Sequence, residues 1–565
     1  MNTMLDLIIR GGTIVDGSGL PAYRGDVGID KGRIVSVGRP LADADAARSI
    51  DATGKIVSPG FIDPHTHYDA QLCFDPYAFP AIEHGITTVV TGNCSLSLAP
   101  VRTPDRDRFA KMFRLIEEMP AAAFEHGVDW RWGETFDGMV ESMRGNLALN
   151  LAPLVGHSVL RMYVMGDDAR RAATDDEIRA MCDLLRECLD AGGVGMSTSY
   201  VDMEDDLRPV PSRWAEHREL QALCAVLGEQ GKMLQIVHEF FDPGLTVSRV
   251  EMLGQLSRQY GIPTTLSPLF HSEAMPASVS QVMDAVADEW ATGARVWPQV
   301  QTRPIDISFT LDQRSIMFLI IPGWWPVLSL PTKADKLAAF ADPATRATLI
   351  GGLDMLGAMP GSTLNAASFV VRQVALERNR DLAGRTLGDI AAERKTSPAE
   401  LLIDLAVEED LGTWFMRADI GHRDPTAVGD LLSHPYVHVG ASDGGAHVGS
   451  FATYGDTGLL LGRFVRDTKS LRLEAAIKKI TSDPAVIWGL RDRGQLTKGY
   501  AADVAVFDAA TIDRGPEVAS HDFPGDGLRW IRRQVGMDTV IVNGQVTWSA
   551  EDGYTSGARA GVIAT

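Results

Sequence analysis

The chain has 565 residues, 45% of them hydrophobic and 22% charged, and a formal net charge of −21. That balance describes a globular protein with a large core and at least one smaller unit. The negative sign excludes a phosphate backbone or an anionic membrane as partner, because both need a basic surface.

In chain order, the opening Met1–Arg10 segment lacks a basic stretch followed by an apolar run and a cleavage site. No apolar run approaches the length of a membrane span. The first sixty residues read as short strands. Leu5–Arg10 and Thr13–Val15 flank Gly11-Gly12, and Asp26–Ile29 and Ile34–Val37 flank Asp30–Arg33. β-Branched residues broken by Gly-rich turns predict hairpins.

Eight short apolar runs follow, each trailed by helix-like sequence: Gly60–Asp63, Thr87–Val90, Leu149–Val155, Gly193–Met196, Met233–Val237, Thr264–Leu266, Arg295–Gln299 and Val437–Val439. Thr174-Asp-Asp-Glu177 has the pattern of a capping box and opens a helix through Leu189. Eight alternations predict an α/β fold, a (β/α)₈ TIM-like barrel of parallel strands with helices outside. Two stretches exceed the barrel's needs, near 101–145 and 305–430. The second contains Ile321-Pro-Gly-Trp-Trp-Pro326, which suits either a lid over a pocket or a helical insertion packed on the barrel. At the far end Ala502–Phe507, Thr539–Val542 and Gln545–Thr547 are again strand-like, the last two around Asn543-Gly544. The two β-rich ends therefore predict one small sheet domain, a β-sandwich from residues 1–60 and 491–565, around a barrel over 61–490.

Five cysteines, Cys73, Cys94, Cys182, Cys188 and Cys224, are sparse and odd in number. They point to a reducing compartment, the cytoplasm, rather than to a disulfide framework.

The chemistry-bearing residues fall at strand ends, where barrel active sites are built. Asp63-Pro-His65-Thr-His67 follows the first run, and residues two apart on an extended segment point the same way. Both imidazoles can then meet one metal, and imidazole is a good zinc ligand. Cys94 ends the second run, His157 the third and His238 the fifth, His271 follows the sixth, and Asp443 ends the eighth. One buried His or Cys is ordinarily core packing; this many around one ring predict a metal site. His447 lies near the same ring. Arg161 and Arg303 lie near strand ends, where each binds a substrate carboxylate or closes an ordinary salt bridge. The other histidines, His84, His126, His217, His422, His434, His438 and His521, are expected on the surface or in helices.

From Ile14–Gly17, through Pro59–Asp69, His84–Cys94 and Leu154–His157, to Ser442–Gly444 and Gly499–Val504, the chain resembles the amidohydrolase superfamily. Within it the chain resembles the N-acyl-D-amino-acid deacylase (D-aminoacylase) family, over nearly its whole length. The Gly92-Asn-Cys94 element beside His-x-His is specific to that branch. The resemblance implies one or two zinc ions per chain, with His65 and His67 forming one position and Cys94, His238 and His271 the tighter one. It implies Asp443 as general acid/base, and His157 and the segment from Ser197 to Tyr200 along the substrate pocket.

Two departures stand out. Relatives place the sixth-strand histidine directly after a serine, with a lysine close behind. Here Pro268 follows Ser267, so His271 reaches the metal only if the strand end is displaced or bulged. The absent lysine removes a partner for a substrate α-carboxylate.

The function that follows is hydrolysis of a linear amide, an N-acyl amino acid, by metal-activated hydroxide with Asp443 shuttling the proton. A cyclic or bulky xenobiotic amide or ester at the same site is the alternative, and an inactive barrel acting as a binding scaffold is the reading from another class. A small-molecule substrate is the expected partner; a homo-oligomer stays open.

Overall fold

The computed structural model describes residues 4–41, 45–240, 242–273, 275–359, 362, 364–440 and 442–565. Residues 1–3 of the opening segment, Ala441 beside Ser442, and 360, 361 and 363 of the longer excursion lie outside the described residues.

All eight central runs form strands: β1 (Phe61–Asp63), β2 (Ile86–Thr91), β3 (Asn150–Gly156), β4 (Gly195–Ser199), β5 (Met233–Val237), β6 (Thr264–Ser267), β7 (Val296–Val300) and β8 (His438–Val439). They make one eight-stranded sheet in chain order, every neighbour parallel. Every residue of β2, β3 and β5 is buried, as expected where both faces of a parallel sheet are covered. The sheet curls until its ends meet, where Thr66 bridges Gly444 and the His67 N–H donates to the Gly444 carbonyl at 2.7 Å. A Cβ on Gly444 would stand 2.6 Å from the Tyr68 hydroxyl, so the closure requires glycine there.

The helix between β3 and β4, Asp175–Asp190, starts at the Thr174 capping box and buries Ile178, Met181, Cys182, Leu185, Cys188 and Leu189, one stripe at helical spacing.

The chain ends meet in a second, nine-stranded sheet, with Val504–Phe507 antiparallel to Ile56–Pro59 at the seam. One expected hairpin is corrected. Gly11-Gly12 does not turn the chain: Leu5–Ile14 is a single strand whose register against Tyr23–Asp30 shifts between Ile9 and Gly12. Gly11, at φ +67, forms the extra residue of a bulge, which needs the same permissive backbone as a turn. The tight turns lie at Lys31-Gly32 and Asn543-Gly544, each with two positive φ values.

The two excursions differ in how they pack. The shorter one folds as α1 (Arg106–Glu117), Ala121–Gly127 and Phe136–Met143, and its Phe109, Phe113, Phe124 and Phe136 join the main core. The longer one has its own three-stranded antiparallel sheet (Ile305–Phe309, Val370–Gln373 and Trp414–Ile420) and its own core around Phe309, Trp324, Phe340, Phe369 and Phe415. Trp324, from the stretch read as a lid or an insertion, is fully buried in that core and donates its indole N–H to the Leu349 carbonyl at 2.9 Å. It builds the insertion instead of facing a pocket. A hairpin of Asp513–Phe523 and Gly527–Val535, unforeseen in sequence, bridges the two parts: Trp530 meets Trp414 edge-on, and the Arg372 guanidinium lies 3.2 Å over the Trp530 ring. Among the described residues no helix is long and apolar enough to cross a membrane.

Candidate metal centre

After β1 the chain stays extended, with the Thr66 hydroxyl turned away onto the Val90 carbonyl at 2.7 Å. His65 and His67 therefore face the same side, their ring centroids 5.3 Å apart. After β2, Cys94 and Ser95 both take left-handed backbone conformations, at φ 55 and 65. The Ser197 hydroxyl pins that turn: it accepts the Ser95 N–H at 3.0 Å and donates to the Gly92 carbonyl at 2.5 Å. Cys94 Sγ is thereby set 3.4 Å from His65 Nε2 and 3.6 Å from His67 Nε2. Among the described residues these three are the group whose ligand atoms all lie within 4.8 Å of one another.

The separations fit a metal. Donors about 2.0 to 2.3 Å from a tetrahedral zinc stand roughly 3.5 Å apart. The far nitrogens of both rings are also held, His65 Nδ1 by Gln299 Oε1 at 3.1 Å and His67 Nδ1 facing Glu117 Oε1 at 3.0 Å. Such outer partners orient a ligating imidazole and leave the other nitrogen's lone pair toward the ion. Burial pushes the Cys94 thiol well above its usual range, and Asp202, Glu117, Asp443 and Asp69 push the same way. A cation held by these donors would favour the ionised sulfur and carboxylates over the neutral forms that burial otherwise favours. Burial also lifts Asp69 to about 7 and Asp202 to about 6. At His67 burial is outweighed by Glu117, which raises the ring to about 9, whereas burial and then His67 lower His65 to about 3.

Asp443 joins from β8. Its Oδ1 lies 3.4 Å from His65 Nε2 and 4.0 Å from His67 Nε2, and its backbone is left-handed at φ 57. The Ser442 hydroxyl, donating to the Asp63 carboxylate with both oxygens at 2.8 Å, ties that loop to β1.

The other expected site residues are not gathered here. His238 follows β5 with Nδ1 on the Ser267 carbonyl at 3.1 Å, and its buried Nε2 has no hydrogen-bond partner among the described residues. It lies outside the three-donor cluster, as does His271. β6 pairs with β5 in unbroken register and ends at Ser267, so no bulge draws His271 inward. Its Nδ1 instead stands 3.4 Å from Glu273 Oε1. His157 begins a helix, His157–Met165, with both ring nitrogens engaged, by Thr198 Oγ1 at 2.9 Å and Glu219 Oε1 at 2.8 Å. It braces the wall, because Glu219 also holds Arg161 and keeps the whole group buried. Arg303 pairs with Asp456 at 2.9 Å and donates to the Ser442 carbonyl at 2.6 Å. Tyr200 lies under the Arg249 guanidinium, 3.6 Å from its ring centre.

Sequence reasoning missed Glu117, Glu118, Asp202 and Gln299. It also misplaced two histidines: His438 is buried on β8, and His422 is buried with its N–H on the His271 carbonyl at 2.9 Å. The His422 ring lies against Phe270, their centroids 5.4 Å apart, and burial, then His271, take it down to about 3. The Glu117 signal was faint. A carboxylate eight residues after Phe109 on one amphipathic face is buried without a visible partner, and burial of a charge demands one.

A family model described as amidohydrolase family matches residues 48–548. The D-aminoacylase of Alcaligenes xylosoxydans xylosoxydans is 29% identical over 563 residues, 99% of this chain and 97% of its own length. The N-acyl-D-glutamate deacylase of the same organism is 30% identical over 96% of this chain and 94% of its own. Among solved structures, the N-acyl-D-glutamate deacylase of Bordetella bronchiseptica, complexed with zinc and a phosphonate inhibitor, superposes with a TM-score of 0.67 at 25% identity, each chain covered in full.

Proposed function

Because the chain belongs to the amidohydrolase family, in its N-acyl-D-amino-acid deacylase branch, we propose that it hydrolyses a linear amide of the N-acyl amino acid type at a zinc site on the barrel rim. The carrying observation is the buried His65–His67–Cys94 cluster with Asp443 Oδ1 at 3.4 Å from one of its nitrogens. His65, His67 and Cys94 hold the metal, and His238, with its unpartnered Nε2, is next to join; His271 would need its loop to move inward. A bound zinc ion supplies Lewis acidity, bringing the ionisation of water down to roughly neutral pH. Asp443 takes the proton of the attacking water and delivers it to the leaving nitrogen. Tyr200 lines the pocket, while Ser197, His157 and Arg303 hold its frame. Residues 61–490 form the catalytic barrel with its two excursions. Residues 1–60 and 491–565 form the companion domain, a small sandwich whose core includes Leu7, Ile29, Val504 and Ile541. Five free cysteines suit a reducing, cytoplasmic setting.

A second reading has one observation in its favour. Arg161 is engaged by Glu219 and Arg303 by Asp456, so neither guanidinium awaits a substrate carboxylate, which favours amides without one. Turnover of N-acetyl-D-amino acids against neutral amides separates the two. For the shared chemistry, chelation should abolish activity and zinc restore it, and Asp443→Asn should lower kcat by about 10²- to 10⁴-fold with zinc retained. Unchanged turnover in the chelated protein or in the Asn variant overturns the proposal.

A further inference from the structure

α1 ends in two consecutive glutamates, and each meets a different histidine of the rim. Glu117, 1% exposed, reaches His67 as described. Glu118 stops the helix in a left-handed conformation, φ 52 and ψ 31, a backbone that costs a non-glycine residue about 1 kcal/mol or more. Its Oε2 faces His447 Nδ1 at 3.4 Å, and neither atom, both buried, has another partner among the described residues. His447 is itself left-handed at φ 50, four residues beyond Asp443, with its ring stacked on Phe451 at 5.4 Å. Two unfavourable backbone conformations thus meet at one contact.

The His447 ring is fixed by that contact but not closed by it. Nδ1 points inward at Glu118, whereas Nε2 is neither enclosed nor hydrogen-bonded among the described residues, and 22% of the side chain stays accessible. Asp443 is open to a similar degree, at 21%. Burial works against a charged ring here but is outweighed by Glu118, with Asp443 and Glu117 adding to it, so His447 holds its proton more firmly than usual. A cationic N–H held four residues beyond Asp443, and within its electrostatic reach, can meet negative charge growing on an oxygen.

We infer that His447 is a further catalytic residue, its Nε2–H donating to the carbonyl oxygen of the bound amide, and that Glu118 is the positioning residue that aims it. This rests on the amide-hydrolase reading of the site. The division of labour is then explicit: Glu117 serves the metal through His67, and Glu118 serves the substrate through His447.

The test uses zinc-loaded wild type, His447→Gln and Glu118→Gln, the last keeping the side chain's shape if the first folds poorly. Three quantities are read: zinc content, kinetics on the amide the wild type turns over, and affinity for a phosphinate analogue whose anionic oxygens replace the scissile carbonyl. His447→Gln should lower kcat by about 10²- to 10³-fold and Glu118→Gln by about 10- to 100-fold, with KM and zinc content unchanged. Both should weaken phosphinate binding at least tenfold. Unchanged phosphinate affinity in both variants, no binding by the wild type, or loss of zinc in Glu118→Gln overturns the inference. A zinc-loaded wild type that cleaves no amide sinks the functional reading alone, because the phosphinate affinities still decide the role of His447.

Discussion

The two excursions from the barrel make an instructive pair. The longer one, about 305–430, builds a separate core around Trp324 and Phe340 and has its own antiparallel sheet. The shorter one, about 101–145, has no separate core; its aromatic residues dissolve into the main one, and through Glu117 it touches a candidate metal ligand. Insertion size therefore says little about insertion role. What matters is whether the added chain can satisfy its own apolar surface. A segment that can do so sits beside the barrel, whereas one that cannot must lie across it and brings its polar residues to the rim.

Large-to-small changes in the two cores strike at this difference hardest. Trp324→Ala and Phe113→Ala each remove a fully buried ring and should cost about 3 to 5 kcal/mol. The consequences should diverge. Trp324→Ala should loosen 305–430 as a separate unit, seen as early amide exchange confined to it, with the zinc content of the folded protein intact. Phe113→Ala should lower zinc content along with stability, since α1 carries Glu117. Equal zinc loss in both variants would break the distinction.

Glu117→Gln sharpens the same contrast without opening a cavity. It removes the charge facing His67 Nδ1 while keeping the side chain's shape, so metal affinity should fall about 10- to 100-fold, read by competition with a chromophoric chelator. Within the longer excursion Glu409 is the matched control. It is also buried, but it accepts the Ala375 N–H at 2.7 Å and the Thr413 hydroxyl at 2.9 Å, both partners within the same excursion, so Glu409→Gln should lower stability and leave zinc affinity alone.

How much of this could be read in the sequence follows from where each signal resides. The eight barrel strands were legible because each is a short buried run whose pattern is local, and His65-Thr-His67 because two-residue alternation on an extended chain needs no distant partner. The Thr174 capping box was legible for the same reason. Glu117 and Glu118 were not, since their partners lie 50 residues before and 329 residues after them in the chain. Gly11-Gly12 misled because a bulge and a turn ask for the same residue; only the continuing pairing with Tyr23–Asp30 tells them apart. His422 misled because nothing local marks it for burial; it is covered only when its excursion folds back onto the loop after β6.

The smallest expected effect lies outside both excursions and sets the baseline for them. Arg171 first, and then the Thr174 backbone N–H, hold the Glu177 carboxyl down at about 2 against an ordinary 4.5. Because the folded value lies below the unfolded one, the unfolded chain binds more protons between those limits, and stability rises with pH across that window. The contribution is complete at pH 7 and is lost as pH falls from 4.5 toward 2. Glu177→Gln should thus lower the denaturation midpoint at pH 7 by an amount worth at most about 1 kcal/mol, and the gap to wild type should narrow from pH 5 to pH 3. Zinc content and kcat should not move, because this cap holds only the rim of the helix between β3 and β4. If they do move, the barrel transmits surface changes to the metal site generally, and the special standing given to α1 would lose its basis.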